Sequence, residues 1–416
     1  MRSSRRAAFA GVFAVTLLAL LGVGAVLPVI PRYVRGPLGD GDVAVGIAIG
    51  SFAFTALACR PLAGNVADQR GRRPVVIGGS LLAMAGGLLY LLPAGLPGLI
   101  AARLVFGAGE GSVFTAGATW VVDLAPAGRR GRMIGLYGLA VWGGLSLGPP
   151  IGDALLRISS FEAVWAFAAA APAIGAAIAL AVPDPYPRGR SSLATRRGPL
   201  IARESVRPGA ALSLATVGYA AMASFIVLDL DAKGIGHGAA AFTAFAVTVV
   251  ATRVLAGDLP DRVGPLRCAA VAALVEAGGL ALIALAGSLA VAIVGALAMG
   301  AAFSTIYPAL SLVVVNRVGE ERRGAALGTF TAFFDAGVGL GAPLAGAAAS
   351  LGGYSAAFWL AAACACATAA AAGIGIRRAR VAAAVADAPT ASAARPSRER
   401  GARGSAPVAD ASQPDP

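Results

Sequence analysis

Long apolar stretches of about 20 residues recur along the whole chain, separated by short polar turns and by turns rich in glycine and proline. Each is long enough to cross a hydrocarbon core of about 30 Å as a helix. The stretches do not alternate apolar and polar faces, as is expected where all sides of a helix meet lipid or other apolar helices. The pattern therefore predicts an all-α integral membrane protein.

The apolar stretches predict twelve membrane spans, with short turns such as LPAGLPG, LAGS and LGGYS between them. The first stretch follows MRSSRR, but it is longer than a typical signal-peptide core and lacks a clear cleavage site, so we expect it to be a retained span. The predicted spans are residues 8–30, 43–65, 75–93, 97–121, 131–156, 161–182, 208–228, 238–257, 267–286, 289–315, 323–349 and 353–377.

Two segments interrupt this pattern and divide the chain. Residues 183–207 are rich in proline, arginine and serine and predict a linker, and residues 378–416 predict a disordered tail of alanine, proline, arginine and serine. We therefore predict one six-helix bundle over residues 1–182 and a second over 208–377.

The distribution of charge predicts the orientation. Most of the 34 lysine and arginine residues fall on one side of the predicted membrane, which by the positive-inside rule places both termini, the linker and the tail in the cytoplasm. The net charge of +13 is therefore spread over one membrane face, where anionic lipid attracts it, and does not indicate nucleic-acid binding. The preference for arginine over lysine, with abundant alanine and glycine, suggests a GC-rich bacterial genome and hence a bacterial inner membrane.

The residues that commonly hold metals or cofactors are scarce. The four cysteines, Cys59, Cys268, Cys364 and Cys366, have neither metal-ligand nor disulfide spacing, and the single histidine, His237, is expected in an outer loop. No phosphate loop, zinc motif or nucleophile elbow is present. We expect no cofactor, no ATP-driven pump and no enzyme.

The sequence also contains an internal repeat with a constant offset of 193 residues. RPLAGNVADQRGRR begins at Arg60, and RVLAGDLPDRVG begins at Arg253. A second pair, RRGRMIG from Arg129 and RRGAALG from Arg322, has the same offset. A repeat of this length predicts two halves of like orientation. Five individual residue pairs keep the same offset. Three lie in the first pair of segments: Gly64 with Gly257, Asp68 with Asp261 and Gly71 with Gly264. Two lie in later spans: Gly148 with Gly341 and Pro150 with Pro343.

Over about residues 8–377 the chain resembles a major facilitator superfamily transporter. GNVADQRGRR is similar to the family's signature turn between spans two and three, and Arg103 in LIAARLVFGAGEG resembles its membrane arginine in span four. The resemblance implies alternating access between two six-helix bundles. It also implies a conformational switch in which the aspartate of the turn meets span eleven and its arginines meet Asp123. The switch residues are Gly64, Asp68, Gly71, Arg72, Arg73 and Asp123.

GLSLGPPIG, in span five, resembles the glycine-proline motif that in this superfamily is associated with export by antiport. The motif residues are Gly144, Gly148, Pro149 and Gly152. The second half departs from the signature, because Pro265 and Leu266 stand where the first half has two arginines, and Asn316 stands in place of Asp123.

Ionisable side chains at membrane depth are the best candidates for coupling, because a charge at mid-bilayer costs about 2.5–3.5 kcal/mol. Arg103 and Glu110 are seven residues apart and share a helix face, so we expect Arg103 to act on the proton of Glu110. Asp335, in span eleven, is the repeat counterpart of Trp142. Glu276 is expected to pair with a neighbouring helix. The predicted coupling and substrate residues are Arg103, Glu110 and Asp335.

Five aromatic side chains are candidates for the cavity, although each could serve packing alone: Trp142, Tyr219, Tyr307, Phe330 and Phe334. Such a lining suits a hydrophobic or amphipathic solute better than a sugar. The first hypothesis is a monomeric, proton-coupled exporter of small molecules in the lipid bilayer. The alternatives are proton-coupled uptake of a metabolite and a non-transporting receptor or scaffold.

Overall fold

The computed structural model describes residues 2–125, 130–182, 202–319 and 322–386, and this part of the chain folds into fourteen α-helices. The described residues up to Ile376 form one compact unit, and those from Arg377 to Ala386 belong to a second. The helices are α1 Arg2–Val26, α2 Ile30–Arg35, α3 Asp42–Arg70, α4 Arg72–Leu89, α5 Gly95–Leu124, α6 Arg130–Ile158, α7 Phe161–Ala181, α8 Arg203–Ala232, α9 Gly238–Leu255, α10 Leu259–Val263, α11 Pro265–Ala284, α12 Leu289–Val315, α13 Arg323–Gly352 and α14 Tyr354–Ala386.

The predicted all-α fold with twelve spans is confirmed. Each predicted span contains a long helix, and the short helices α2 and α10 lie at the ends of the first and eighth spans. Eleven segments of the described chain are long and apolar enough to cross a membrane. The remaining span is α4, the third in chain order. It has 18 residues and packs against α5 and α7.

The segment boundaries differ in detail from those predicted. Helix α8 begins at Arg203, inside the predicted linker, and α14 continues to Ala386, past the predicted start of the tail. The rest of the predicted linker and tail, residues 183–201 and 387–416, lies outside the described residues.

Among the described residues, the two halves meet mainly through two pairs of helices. Within the first half, α1 packs on α6 and α7, and within the second half, α8 packs on α13 and α11 on α12. Between the halves, α3 packs on α13 and α6 on α9. Because successive spans alternate in direction, Gly71 and Gly264 lie at one end of the bundle, called here the turn end. Gly36 and Gly234 lie at the other, called the loop end.

Near the loop end, α3 and α13 approach backbone to backbone. A Cβ atom added at Gly46 would lie 2.3 Å from the carbonyl oxygen of Ala342, and one added at Gly50 would lie 2.5 Å from that of Gly339. Small residues allow transmembrane helices to reach this separation. The contact holds the two halves together on the loop-end side of the interface.

Candidate functional site

A cavity of about 300 Å³ lies between the two halves. Most of its lining is apolar, as is usual for small-molecule sites. Its ionisable groups other than tyrosine are Arg60, Arg103, Glu110, Arg253 and Asp335, and its aromatic side chains are Phe52, Phe114, Tyr137, Trp142, Tyr219, Phe303, Tyr307 and Phe334.

An ion pair crosses the cavity from one half to the other. Arg60 of α3 donates from Nε to Asp335 Oδ2 at 2.7 Å and from Nη2 to Asp335 Oδ1 at 3.2 Å. The guanidinium also lies over the ring of Phe114, 4.5 Å from its centroid. Both side chains are largely buried, so this bidentate contact is screened little by water. The sequence marked Arg60 only as a charge within a span and missed its role at the site.

Glu110 of α5 is buried at the same cavity, with 4% of its surface exposed. It forms no hydrogen bond or ion pair with any other described residue. The charged groups that act on it electrostatically are Arg60 and Asp335. Arg60 therefore faces two carboxylates, one in each half, and bonds directly to only one of them.

Arg103 is held by the backbone of α3. Its Nε donates to the carbonyl oxygen of Ala48 at 2.9 Å and its Nη2 to that of Ile49 at 3.0 Å. The guanidinium stacks on Phe52, 4.7 Å from the ring centroid. The expected action of Arg103 on Glu110 is not seen in this structure, because the arginine turns towards α3 while Arg60 occupies the position near the carboxylate.

Arg253 of α9 also reaches the cavity, and sequence reasoning missed it as well. Its guanidinium carbon lies 5.8 Å from the centroid of the Trp142 ring. It makes no hydrogen bond or ion pair with the described residues, and its Nε is buried without a partner. The repeat offset relates Arg253 to Arg60 and Trp142 to Asp335, so this pair stands at the position equivalent to the ion pair.

Five of the lining aromatics, Trp142, Tyr219, Phe303, Tyr307 and Phe334, form one connected cluster. The ring centroid of Phe303 lies 5.6 Å from that of Trp142, 5.7 Å from Tyr219 and 6.1 Å from Phe334. Four of the five predicted aromatics line the cavity. Phe330 is the exception, because it is fully buried within the second half and packs on Tyr307 at 5.2 Å.

The signature turn forms an ion-pair chain at the turn end of the first half. Arg72 bonds to Asp68, and its Nε donates to Asp123 Oδ2 at 3.1 Å. Arg73 donates to the carbonyl oxygens of Ala179 at 3.1 Å and of Leu180. The turn thereby joins α3, α4, α5 and α7. The side chain of Asp68 is 66% exposed.

Two glycines of this turn differ in what they do. Gly71 has φ of 95° and ψ of 162°, a conformation that essentially only glycine adopts. At Gly64 no other described helix approaches closely, because an added Cβ would meet only the Thr115 methyl group at 3.8 Å. Space is available there for a larger side chain.

The second turn keeps the backbone and loses the chain of ion pairs. Gly264 has φ of 94°, but the helix breaks between α9 and α10, and Asp258 pairs with Arg262 at 2.5 Å on the exposed surface. Asn316, in the position of Asp123, is the C-cap of α12.

The loop end carries a second ionic contact between the halves. Arg32 of α2 donates to Asp153 Oδ1 of α6 at 2.8 Å and to Asp231 Oδ2 of α8 at 3.0 Å. Asp153 also pairs with Arg157, one turn further along α6, at 2.8 Å. Arg32 was not singled out from the sequence, since a charge in an outer loop has no pattern of its own.

The antiporter-like motif packs α6 against α1. A Cβ atom at Gly144 would lie 2.7 Å from Leu20 Cβ, and one at Gly148 would lie 2.6 Å from the backbone of Gly24. At Gly152 it would overlap the carbonyl oxygen of Ala25. Pro149 also contacts α1, with its Cδ at 3.2 Å from a Cβ built at Gly24. These residues fix the distance between two helices and do not line the cavity.

Glu276 lies apart from the cavity, fully buried in the second half. Both carboxyl oxygens lack a hydrogen-bond partner among the described residues. Gly218 of α8 leaves room for it, since an added Cβ would lie 2.6 Å from Oε1. The expected pairing with a neighbouring helix is not found in the described part of the chain.

Comparisons with known proteins agree with this architecture. Residues 12–241 and 209–409 match the family model for the Major Facilitator Superfamily. The uncharacterized MFS-type transporter STM4428 of Salmonella typhimurium is 33% identical over 359 residues, which cover 84% of this chain and 92% of that protein. The uncharacterized MFS-type transporter YhhS of Escherichia coli is 33% identical over 350 residues, 82% of this chain and 86% of that one.

Solved structures share the fold at low sequence identity. The nucleoside transporter NupG superposes with a TM-score of 0.74 at 14% identity, and the match covers 89% of this chain and 99% of that one. The human organic anion transporter MFSD10 (TETRAN) superposes with a TM-score of 0.68 at 19% identity, and the match covers 88% of this chain and 99% of that one.

Proposed function

The chain belongs to the Major Facilitator Superfamily, and from that premise we propose that it exports small hydrophobic or amphipathic molecules in exchange for protons. It is a multi-pass membrane protein, and its relatives are transporters. We place it as a monomer in a bacterial inner membrane with both termini in the cytoplasm. The two halves alternate access to the central cavity by rocking against each other, as repeat-built transporters do.

The observation that carries this proposal is the composition of the cavity between the halves. It combines a connected aromatic surface with two carboxylates and an ion pair between halves. The close contact of α3 with α13 and the Arg32 bridge lie on the loop-end side. We interpret this arrangement as the state that faces the cytoplasm, with the turn end as the cytoplasmic side.

The proton step uses Arg60 and the two carboxylates it faces. A proton bound by Asp335 removes the negative charge that holds Arg60 to the second half. The guanidinium is then attracted by Glu110, which belongs to the first half, as Arg60 does. This exchange keeps the arginine neutralised, which matters because an uncompensated charge at mid-membrane costs about 2.5–3.5 kcal/mol. It also removes an ionic contact between the halves and favours their reorientation.

A second candidate is uptake by proton symport, and one observation favours it. The cavity holds an unpaired arginine, Arg253, beside its ion pair. An anion that enters together with a proton leaves the net charge of the cavity unchanged, which suits symport. The resemblance of GLSLGPPIG to an antiporter motif favours export. A receptor or scaffold role accounts for neither the cavity nor its buried charges.

Flux in inverted membrane vesicles tests the proposal. Three probes of equal size would be used: naphthalene-2-carboxylate, naphthalene-2-carboxamide and 2-naphthylmethylamine. An exporter coupled by antiport should accumulate at least one probe in an acidified lumen beyond the level reached in vesicles without the protein, and a proton ionophore should abolish this additional accumulation. Faster loss of a preloaded probe from an acidified lumen would indicate symport instead. Absence of protein-dependent flux for all three would contradict a transport role for molecules of this class.

A further inference from the structure

The cavity contains more positive than negative groups. Its lining holds three arginines and two carboxylates, with no lysine or histidine. One positive charge is therefore in excess even when both carboxylates are ionised. Each proton bound by a carboxylate increases the excess.

Two of the three arginines are already engaged. Arg60 makes a bidentate contact with Asp335, and Arg103 donates twice to backbone carbonyl oxygens of α3. Neither can turn to a ligand without breaking those bonds. Arg60 and Arg103 each keep one buried Nη1 without a partner, whereas Arg253 makes no hydrogen bond or ion pair with any described residue.

Arg253 is placed as a ligand-binding group would be. It makes no hydrogen bond or ion pair with any described residue, and its buried Nε lacks a partner. On one side, the Arg253 guanidinium lies next to the Trp142 ring of the central cavity. On the other side is a smaller cavity of about 200 Å³ lined in part by Thr252, Ser304 and Thr305. A guanidinium with free donors beside an aromatic surface matches a planar anion attached to an apolar body.

We propose that the transported molecule is an amphipathic organic anion whose carboxylate, or a similar acidic group, binds Arg253. Its apolar part would pack against the cluster formed by Trp142, Phe303 and Phe334. The proposal rests on the function proposed above, because it names the chemical class of the cargo for that same cavity. It differs from a cationic cargo, for which Glu110 would be the expected binding group.

Binding to the purified protein in detergent tests this assignment without any gradient. Equilibrium dialysis would compare the three naphthalene probes, which share the naphthalene ring and carry a negative, a neutral and a positive group. The carboxylate should bind at least tenfold more tightly than the amide or the amine. Arg253→Gln should remove that preference, and Arg253→Lys should retain most of it because the charge remains.

A matched control is available close by in the sequence. Arg262→Gln removes one arginine from the exposed surface pair with Asp258 and should leave the preference for the carboxylate unchanged. If Arg253→Gln binds the carboxylate as well as the wild type does, or if the amine binds most tightly, the assignment is wrong. An Arg253→Lys variant with intact anion preference shows that loss in Arg253→Gln reflects charge and not a failure to fold.

The direction of transport is tested separately, by the membrane potential. One-for-one exchange of an exported anion for an entering proton moves positive charge inward, so a potassium–valinomycin potential, lumen positive in inverted vesicles, should accelerate accumulation of the carboxylate. Cotransport of an anion and a proton is electroneutral and should not respond. Anion binding that depends on Arg253 without accelerated accumulation would therefore contradict the proposed antiport while supporting the anionic cargo.

Discussion

Two contacts stand at equivalent positions in the two halves, and they differ in chemistry. Arg60 reaches from α3 to Asp335 of α13 and forms an ion pair at 2.7 Å. Arg253 reaches from α9 to Trp142 of α6, where its partner is the face of an aromatic ring. Both halves keep the arginine and the pairing of helices. They differ in the residue that the arginine contacts, which is Asp335 in one case and Trp142 in the other. One contact can therefore respond to a proton, and the other leaves a positive charge available in the cavity.

The turns at the end of the same helices show the same divergence. Gly71 and Gly264 have almost equal φ angles, 95° and 94°. The first turn follows a helix that continues to Arg70 through Pro61, whereas the second follows a break after Leu255. The conformation of the turn glycine is thus retained in both halves, while in the described part of the chain the continuous helix and the ionic network occur only in the first.

The largest expected effect follows from removing the cation of the ion pair. Arg60→Gln leaves two buried carboxylates without a counter-ion, and breaking a buried ion pair costs about 3–5 kcal/mol. Proton-driven accumulation in inverted vesicles should fall about a hundredfold by the same principle. Arg60→Lys should retain part of the activity, and Arg262→Gln should match the wild type. Undiminished accumulation in Arg60→Gln would show that the Arg60–Asp335 ion pair is not needed for proton coupling. The proposed difference from the Arg253–Trp142 contact would then be wrong.

A smaller difference is expected between the two signature aspartates. Asp68→Asn weakens the contact with Arg72, and because the Asp68 side chain is 66% exposed, such a pair contributes about 0.2–1 kcal/mol, or up to about fivefold in rate. Asp261→Asn should change the rate little, because its turn lacks both arginines and the acid at Asn316. Initial transport rates normalised to the amount of protein in the membrane would check this. Equal losses in both variants would mean that the turns contribute symmetrically.

The turn glycines should behave alike. Gly71→Ala and Gly264→Ala both force a side chain into a conformation with strongly positive φ, at a cost of about 1–3 kcal/mol each. Denaturant unfolding in detergent should show similar destabilisation for the two variants. A loss confined to Gly71→Ala would show that the conformation matters only where the ion pairs are present.

The smallest effect is expected where the aromatic partner of Arg253 is changed. Trp142→Phe keeps a ring beneath the guanidinium. The free energy of the cation–π contact should therefore change by no more than the contact itself contributes, about 0.5–1 kcal/mol. The ratio of protons to probe transported should stay the same, because no titrating group is altered. A changed ratio of protons to probe would mean that the Arg253–Trp142 contact takes part in proton coupling, as the Arg60–Asp335 ion pair does.

Much of the fold was predictable from the sequence. The length and period of the apolar stretches identify all twelve spans, since a membrane imposes both on a helix. The repeat identifies the two halves and the equivalence of Trp142 with Asp335. The candidate residues Glu110 and Asp335 were found because a charge within an apolar stretch is conspicuous.

The pairing of the charges was not predictable in the same way. Arg103 and Glu110 share a helix face, but the backbone partners of Arg103 and the cation that acts on Glu110 both belong to α3, which sequence spacing on α5 does not encode. Arg60 and Asp335 lie in different halves, so no local pattern relates them. Their repeat counterparts gave a usable signal, because an arginine recurring at the same depth in both halves indicates a common position at the interface.

The central claim is that Asp335 and Glu110, which face the single cation Arg60, bind the transported proton. Infrared difference spectroscopy of the purified protein during acidification measures this directly, since it detects conversion of a carboxylate to a carboxylic acid without requiring a substrate. The account predicts a signal in the wild type that is reduced in Asp335→Asn and in Glu110→Gln and reduced furthest when both substitutions are combined. The same signal in the wild type and the double variant would contradict it.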